Sequence, residues 1–224
     1  AKHALIHSIA LDKTYKEIGN DSIIKPALEY FSKHGPSIDR LRTFYYTARI
    51  HENSGDLEKA MEFLTKSEKH KECDKQNLCL PLIYTAKGRI YTHLFDYENG
   101  EANFEKAARI YLKDNNIDNH ASNLLQKCSC MIMRGRLEEV EDILSGFYAR
   151  KKELSSNTLN QYHQTAINLY RVRCNDSPLQ LLESYLDDIT DPYLMDWILA
   201  ARIYLGENML EEALNALSNQ ARYR

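Results

Sequence analysis

Residues 48–60, ARIHENSGDLEKA, decide the fold of this chain. A small residue, Ala48, is followed seven places later by Gly55 at a turn position and twelve places later by a second small residue, Ala60. The same layout recurs in residues 88–100, GRIYTHLFDYENG, and in residues 201–213, ARIYLGENMLEEA. Each copy predicts two helices joined by a turn, and one such hairpin cannot bury its apolar face alone. We therefore predict an array of stacked helical hairpins.

Composition argues against several classes of protein. The 224 residues include 29 basic and 32 acidic side chains, a net charge of −3, which is too balanced for a nucleic-acid-binding surface. With 8 glycines and 5 prolines the chain has little material for the turns of an all-β fold. No stretch approaches the roughly 20 apolar residues of a membrane span. We expect this segment to contact neither nucleic acid nor a membrane.

The residues do not predict an enzyme. The sequence has no glycine-rich phosphate loop, no HExxH and no GxSxG, so we assign no catalytic residue and no cofactor. His3 and His7 have metal-ligand spacing, but no third ligand is evident nearby, so we assign no metal. The chain has 5 cysteines, and an odd number is not typical of a disulfide framework. We therefore predict free thiols. A disulfide between Cys73 and Cys79 stays open.

Apolar residues that recur every three or four positions divide the chain into about six hairpins. We predict a single all-α domain, residues 1–224, made of an irregular N-terminal hairpin, 1–38, and five repeats: 39–76, 77–116, 117–154, 155–190 and 191–224. The small positions of consecutive first helices are separated by 40, 40, 38 and 35 residues; they are Ala48, Gly88, Cys128, Ala166 and Ala201. The two longest steps predict an extended second helix in each of the first two repeats.

From Leu41 to its end the chain resembles the tetratricopeptide repeat family. The family pattern has a bulky aromatic, a small residue four places later, an aromatic three places after that, and an alanine twelve places after the small residue. The fullest match is Trp197, Ala201, Tyr204 and Ala213. A second match is Tyr84, Gly88, Tyr91 and Phe104, with Gly100 in place of the later alanine. The resemblance implies a right-handed α-α superhelix and a role in protein or peptide binding.

Residues 10–68 resemble a narrower group of bacterial tetratricopeptide proteins. In that group the array usually sits outside the cytoplasmic membrane behind a lipoprotein or secretory signal. A membrane span and a cytoplasmic regulatory segment often follow. The resemblance therefore implies an extracytoplasmic, membrane-anchored full-length protein, with a cytoplasmic protein as the alternative. We expect the natural protein to continue past Arg224, because no polar capping helix follows the last predicted repeat.

In the family, the residue after the small position of each first helix faces a concave groove, as do residues four before and three after it. In this chain these positions predict a groove surface, here called the floor, that carries arginines near the first repeats and apolar side chains near the later ones. The candidate binding residues are Tyr45, Arg49, Glu52, Thr85, Arg89, Thr92, His163, Tyr170 and Arg202. A peptide with an acidic group near one end and apolar side chains near the other would suit this floor. Alternatively, Arg49 and Arg89 pair with Glu52 or with a glutamate of the adjacent repeat.

These observations favour a protein–protein or peptide interaction module that is the sensory or scaffolding part of a bacterial regulatory protein. Two alternatives stay open. One is a cytosolic peptide-sensing regulator that lacks its effector segment, and the other is a homo-oligomeric scaffold without a small ligand. The sequence does not determine the oligomeric state.

Overall fold

In the computed structural model, residues 1–14, 21–74, 76, 79–148 and 150–173 are described. Over these ranges the chain forms nine α-helices and two short 3-10 turns and contains no β-strand. The helices are α1 (Lys2–Lys13), α2 (Lys25–Phe31), α3 (Ser37–Asn53), α4 (Leu57–Glu68), α5 (Leu80–His93), α6 (Tyr97–Lys113), α7 (Ile117–Met133), α8 (Leu137–Tyr148) and α9 (Ser156–Arg173). The predicted all-α, tetratricopeptide-like helical repeat is confirmed. The repeat 191–224 lies outside the described residues.

The chain divides into two compact units, residues 1–130 and residues 131–224. In the first unit α3 packs against α4, α5 packs against α6, and α4 also packs against α5. The helices α1 and α2 pack against each other and against α3. Successive hairpins therefore share helix faces, as expected for repeats that cannot bury their apolar residues alone. In the second unit α8 packs against α9.

Small residues lie where the helices of unit 1 meet. Ala48 and Ala60 are buried, with 1% and 0% of their surface exposed. A Cβ atom added to Gly88 would lie 2.6 Å from Cε1 of Phe104, so the absence of a side chain is what admits this ring. A Cβ atom on Gly100 would lie 3.1 Å from the sulfur of Cys130. The predicted role of compact residues at the helix contacts is confirmed at these positions.

The N-terminal hairpin has the same spacing as the repeats that follow it. We call the step from Ala48 to Gly88, which recurs from Gly88 to Cys128, the period of the array. Ser8, at the centre of α1, lies one period before Ala48 and is buried to the same degree. It occupies the small-residue position that Ala48, Gly88 and Cys128 occupy in α3, α5 and α7. The period therefore holds over four consecutive first helices.

The two long steps have different origins. Helix α6 has 17 residues, as the prediction of an extended second helix requires, whereas α4 has only 12. The prediction is wrong for α4, because the extra residues form a connection that includes a 3-10 turn at Lys71–Cys73. Oδ2 of Asp74 accepts hydrogen bonds from the backbone N–H groups of Cys79 (2.7 Å) and Leu80 (2.8 Å) at the start of α5. The connection thus satisfies helix donors that lack partners within the helix.

The turns after the first helices use a left-handed backbone. Gly55 after α3 has a φ of +80° and Gly135 after α7 has a φ of +76°, a conformation that glycine adopts without steric cost. The equivalent residue after α5 is Phe95, which has a φ of +61° and is 77% exposed. After α3 and α5 the next residue, Asp56 or Asp96, caps the second helix of the hairpin through its carboxylate.

Candidate functional site

Four charged side chains of α1, α3 and α5 form a continuous row, here called the ion ladder: Asp12, Arg49, Glu52 and Arg89. Nε of Arg49 donates to Oδ1 of Asp12 at 3.2 Å, and its Nη1 donates to Oε2 of Glu52 at 2.5 Å. Arg89 makes a bidentate contact with Glu52: its Nε donates to Oε1 at 2.8 Å, and its Nη2 donates to Oε2 at 3.1 Å. Negative and positive groups therefore alternate across three consecutive first helices.

Glu52 is the centre of the ion ladder. Its side chain is only 10% exposed, and burial acts to raise the pKa of its carboxyl. The hydrogen bonds and charges of Arg89 and Arg49 outweigh burial, so the pKa of Glu52 lies below its usual range. Glu52 is therefore ionised at neutral pH and holds both guanidinium groups. The sequence left open whether Arg49 and Arg89 face a ligand or pair with a glutamate of the chain; in the structure both arginines pair with Glu52.

Two candidate residues that precede the arginines by four places are buried. Tyr45 is 5% exposed, and burial raises the pKa of its phenol far above the usual range, so it stays neutral. Thr85 is 9% exposed, and its hydroxyl lies 2.7 Å from the side-chain oxygen of Asn123 on α7. Both side chains are therefore largely withdrawn from solvent.

The remaining candidates are placed differently. The hydroxyl of Thr92 donates to the carbonyl oxygen of Gly88 at 2.9 Å and lies 3.3 Å from the sulfur of Cys130. His163 belongs to the second unit, where it is buried in α9 beside the ring of Tyr162. The side chain of Tyr170 and the whole of Arg202 lie outside the described part of the chain. The residues that the structure brings together are Arg49, Glu52 and Arg89, with Tyr45 buried near both arginines.

Asp12 is the member of the ion ladder that the sequence reasoning missed. It lies one period before Glu52, just as Ser8 lies one period before Ala48, so it occupies the same position on α1 that Glu52 occupies on α3. Its bond to Arg49 spans 37 residues, and the bond from Glu52 to Arg89 spans the same interval. The residue one period before Glu52 in the sequence is Asp12, so the repeat spacing alone identifies it.

A second set of ion pairs joins the α3–α4 hairpin to α5 and the α5–α6 hairpin to α7. Nζ of Lys87 on α5 donates to Oε2 of Glu68 on α4, and Nζ of Lys127 on α7 donates to Oε2 of Glu105 on α6 at 3.0 Å. Burial acts to raise the pKa of each glutamate, but hydrogen bonds and nearby positive charges, first those of the paired lysine, outweigh burial and lower the pKa. Tyr84 contributes at Glu68 and Arg109 at Glu105. We call these pairs the hairpin clasps. Each pair links one hairpin to the first helix of the next, and neither pair shares a residue with the ion ladder.

Metal-binding and membrane-spanning features are absent from the described residues. Within them, no group of three or more His, Cys, Asp or Glu side chains is placed to hold a metal ion. The rings of His3 and His7 are 6.1 Å apart between centroids. Cys73, Cys79, Cys128 and Cys130 form no disulfide bonds with one another, and burial raises the pKa of Cys79 to about 11. None of the helices in this part of the chain combines the length and the apolar character needed to cross a bilayer.

Residues 82–114 match the family model described as Tetratricopeptide repeat. These residues cover nearly all of α5 and α6, the hairpin in which Gly88 admits Phe104 and from which Arg89 joins the ion ladder. No curated protein and no solved structure is significantly similar to the chain.

Proposed function

We propose that this chain is an interaction module that binds a protein or peptide on the face formed by the first helices α1, α3 and α5. Tetratricopeptide repeats generally mediate protein–protein interaction, and residues 82–114 match that family. The observation that carries the proposal is the ion ladder: four charged groups from three separate helices converge on one face, and Arg89 keeps a third of its side chain exposed. A row of this kind offers fixed charges at the spacing of consecutive helices.

The chemistry of this face favours an extended peptide over a flat protein surface. Arginine donates in a rigid plane that fits carboxylates, and a partner lying across successive first helices meets one polar position on each. The polar groups of the face are already positioned by bonds to one another, so little ordering is required when a partner binds.

The finer role that we propose is the sensory or scaffolding part of a bacterial regulatory protein, anchored outside the cytoplasmic membrane. Its support is the resemblance of residues 10–68 to extracytoplasmic tetratricopeptide proteins. The complete gene tests this role. We expect it to encode an export or lipoprotein signal and a membrane span, and a gene that encodes neither would refute the membrane-anchored role.

Selection from a library of random displayed peptides tests the binding function. We expect peptides selected on the wild-type chain to bind the Arg109→Gln variant equally well, because Arg109 is 74% exposed on α6 and pairs with Glu105. The same peptides should bind the Arg89→Gln variant less tightly. Circular dichroism should show that both variants keep the helical fold. Recovery of no binding peptide, or equal binding by both variants, would contradict the proposed binding face.

A further inference from the structure

The connection between α4 and α5 brings two cysteines together beside α3. Cys73 ends the 3-10 turn, which packs against α3, and Cys79 caps the start of α5. The carboxylate of Asp74, the residue that follows Cys73, accepts the backbone N–H of Cys79 at 2.7 Å. Cys73 also packs against the buried apolar core of the first unit, to which Cys79 belongs. The two thiols therefore share one site, although they belong to different elements.

The two thiols differ in access to solvent and share a neighbouring cation. Cys73 is half-buried and donates its S–H to the carbonyl oxygen of His70 at 2.8 Å, whereas Cys79 is only 6% exposed. The guanidinium of Arg42, on α3, donates to the sulfur of Cys79, and its positive charge acts on both thiols. Cys73 in turn acts to raise the pKa of Cys79, as a neighbouring acid does.

We propose that Cys73 and Cys79 form a reversible dithiol–disulfide pair that is oxidised by a low-molecular-weight disulfide such as oxidised glutathione. The thiolate of Cys73, the more accessible of the two, attacks one sulfur of the reagent, and the displaced thiolate takes up a proton. The thiolate of Cys79 then attacks the sulfur of Cys73 and displaces the second reagent thiol. The chain loses two hydrogens, and with them two electrons, while the reagent disulfide is reduced to two thiols.

The surroundings of the pair set the speed of this exchange. Burial raises the pKa of both thiols, and the positive charge of Arg42 acts in the opposite direction. Because thiolates are the reacting species, the exchange should be slow at neutral pH and accelerate as the pH rises. Cys128 and Cys130 are both 0% exposed and lie two positions apart on α7, where they point in different directions. They therefore serve as internal comparisons that should not react in the folded chain.

Tryptic mapping tests the pairing directly. Trypsin cuts after Lys71, Lys75 and Lys87, so Cys73 falls in residues 72–75 and Cys79 in residues 76–87. The folded chain is incubated with oxidised glutathione, quenched with acid and unfolded with iodoacetamide to block the remaining thiols. We expect mass spectra to show these two peptides joined by a disulfide that dithiothreitol cleaves. A glutathione adduct that persists on Cys73, or two unmodified thiols after prolonged incubation, would overturn the proposal.

Single replacements test the order of the two steps. Cys79→Ser should retain glutathione on Cys73, because no second thiol displaces it, and Cys73→Ser should leave Cys79 unmodified, because Cys79 is buried. Arg42→Gln should slow disulfide formation several-fold. Arg40→Gln is the matched control on the same helix and should react as the wild type does, since Arg40 donates to the carbonyl oxygen of Phe31. Glutathione on Cys79 of the Cys73→Ser variant, or equal rates in both arginine variants, would count against the proposal.

The oxidised chain must also keep its fold. We expect it to retain the helical circular dichroism spectrum and to unfold at a higher urea concentration than the dithiol form, because the cross-link restricts the unfolded chain. An oxidised chain with a reduced helical signal, or one that unfolds at a lower urea concentration, would show that the bond forms only by disrupting the start of α5, and would overturn the proposal. None of these measurements involves a binding partner, so their outcome is independent of the proposed function.

Discussion

Replacement of Gly88 by alanine tests whether close helix approach sets the repeat geometry. The added Cβ atom would lie 2.6, 2.7 and 2.9 Å from Cε1, Cδ1 and Cζ of Phe104. Carbon atoms pack best at about 3.5–4.0 Å, so the ring would have to move by roughly 1 Å. Phe104 is 2% exposed, and protein interiors are close-packed, so we expect the strain to pass into the contact between α5 and α6.

Two opposing terms set the size of the effect. Alanine is better than glycine inside a helix by about 0.5–1 kcal/mol, while overpacking of a buried contact costs about 1–3 kcal/mol. We therefore expect Gly88→Ala to lower the free energy of unfolding by about 0.5–2 kcal/mol. In a background that already carries Phe104→Leu, the same change should cost about 1 kcal/mol less, because the smaller side chain leaves room for the methyl group.

Urea denaturation followed by far-ultraviolet circular dichroism measures both effects. Gly146→Ala is the matched control, because Gly146 lies inside α8, is exposed, and has no atom within 4 Å of an added Cβ. The control should gain about 0.5–1 kcal/mol from helix propensity alone. A Gly88→Ala protein that is as stable as the wild type, or one whose stability change is the same with and without Phe104→Leu, would refute the close-approach argument.

Two further predictions concern the turns and the ion ladder. Phe95→Gly should raise the free energy of unfolding by about 1 kcal/mol, because glycine tolerates the φ of +61° and the exposed ring has little buried area to lose. Asn115→Gly, at a φ of +55°, should change the free energy of unfolding much less in the same urea titration, because asparagine already tolerates this conformation. Because the pKa of Glu52 is lowered in the folded state, its stabilisation is present above its ordinary pKa of 4.5 and is lost as the pH falls through the lower folded value. Urea midpoints measured down through the acid range should therefore fall less steeply in the Glu52→Gln variant than in the wild type; parallel curves would show that Glu52 contributes no such linkage.

Much of the fold could be predicted because the residues that carry it are local and repeated. Ala48, Gly55 and Ala60 mark a first helix, a turn and a second helix by spacing alone, and the structure has all three in those roles. The short length of α4 was not predicted, because Asp74 caps donors five and six residues ahead and this geometry leaves no short-range pattern.

The candidate site was less accessible to prediction. The spacing placed Arg49, Glu52 and Arg89 on first helices, but it could not decide between pairing within the chain and exposure to a ligand. That choice depends on the distance between neighbouring helices, which packing sets. Asp12 was missed because α1 lacks the aromatic residues of the family pattern, and only the period of the array relates it to Glu52.

The hairpin clasps bear on how such a chain can grow or shrink over evolutionary time. Lys87 and Lys127 lie one period apart, and each reaches back to a glutamate of the hairpin before it. Removal of one whole period between Glu68 and Lys127 would give Lys127 the spacing from Glu68 that Lys87 now has, and duplication of that period would create another lysine–glutamate contact of the same kind. A gene encoding this array can therefore gain or lose a complete unit and keep a lysine–glutamate pair at the new junction.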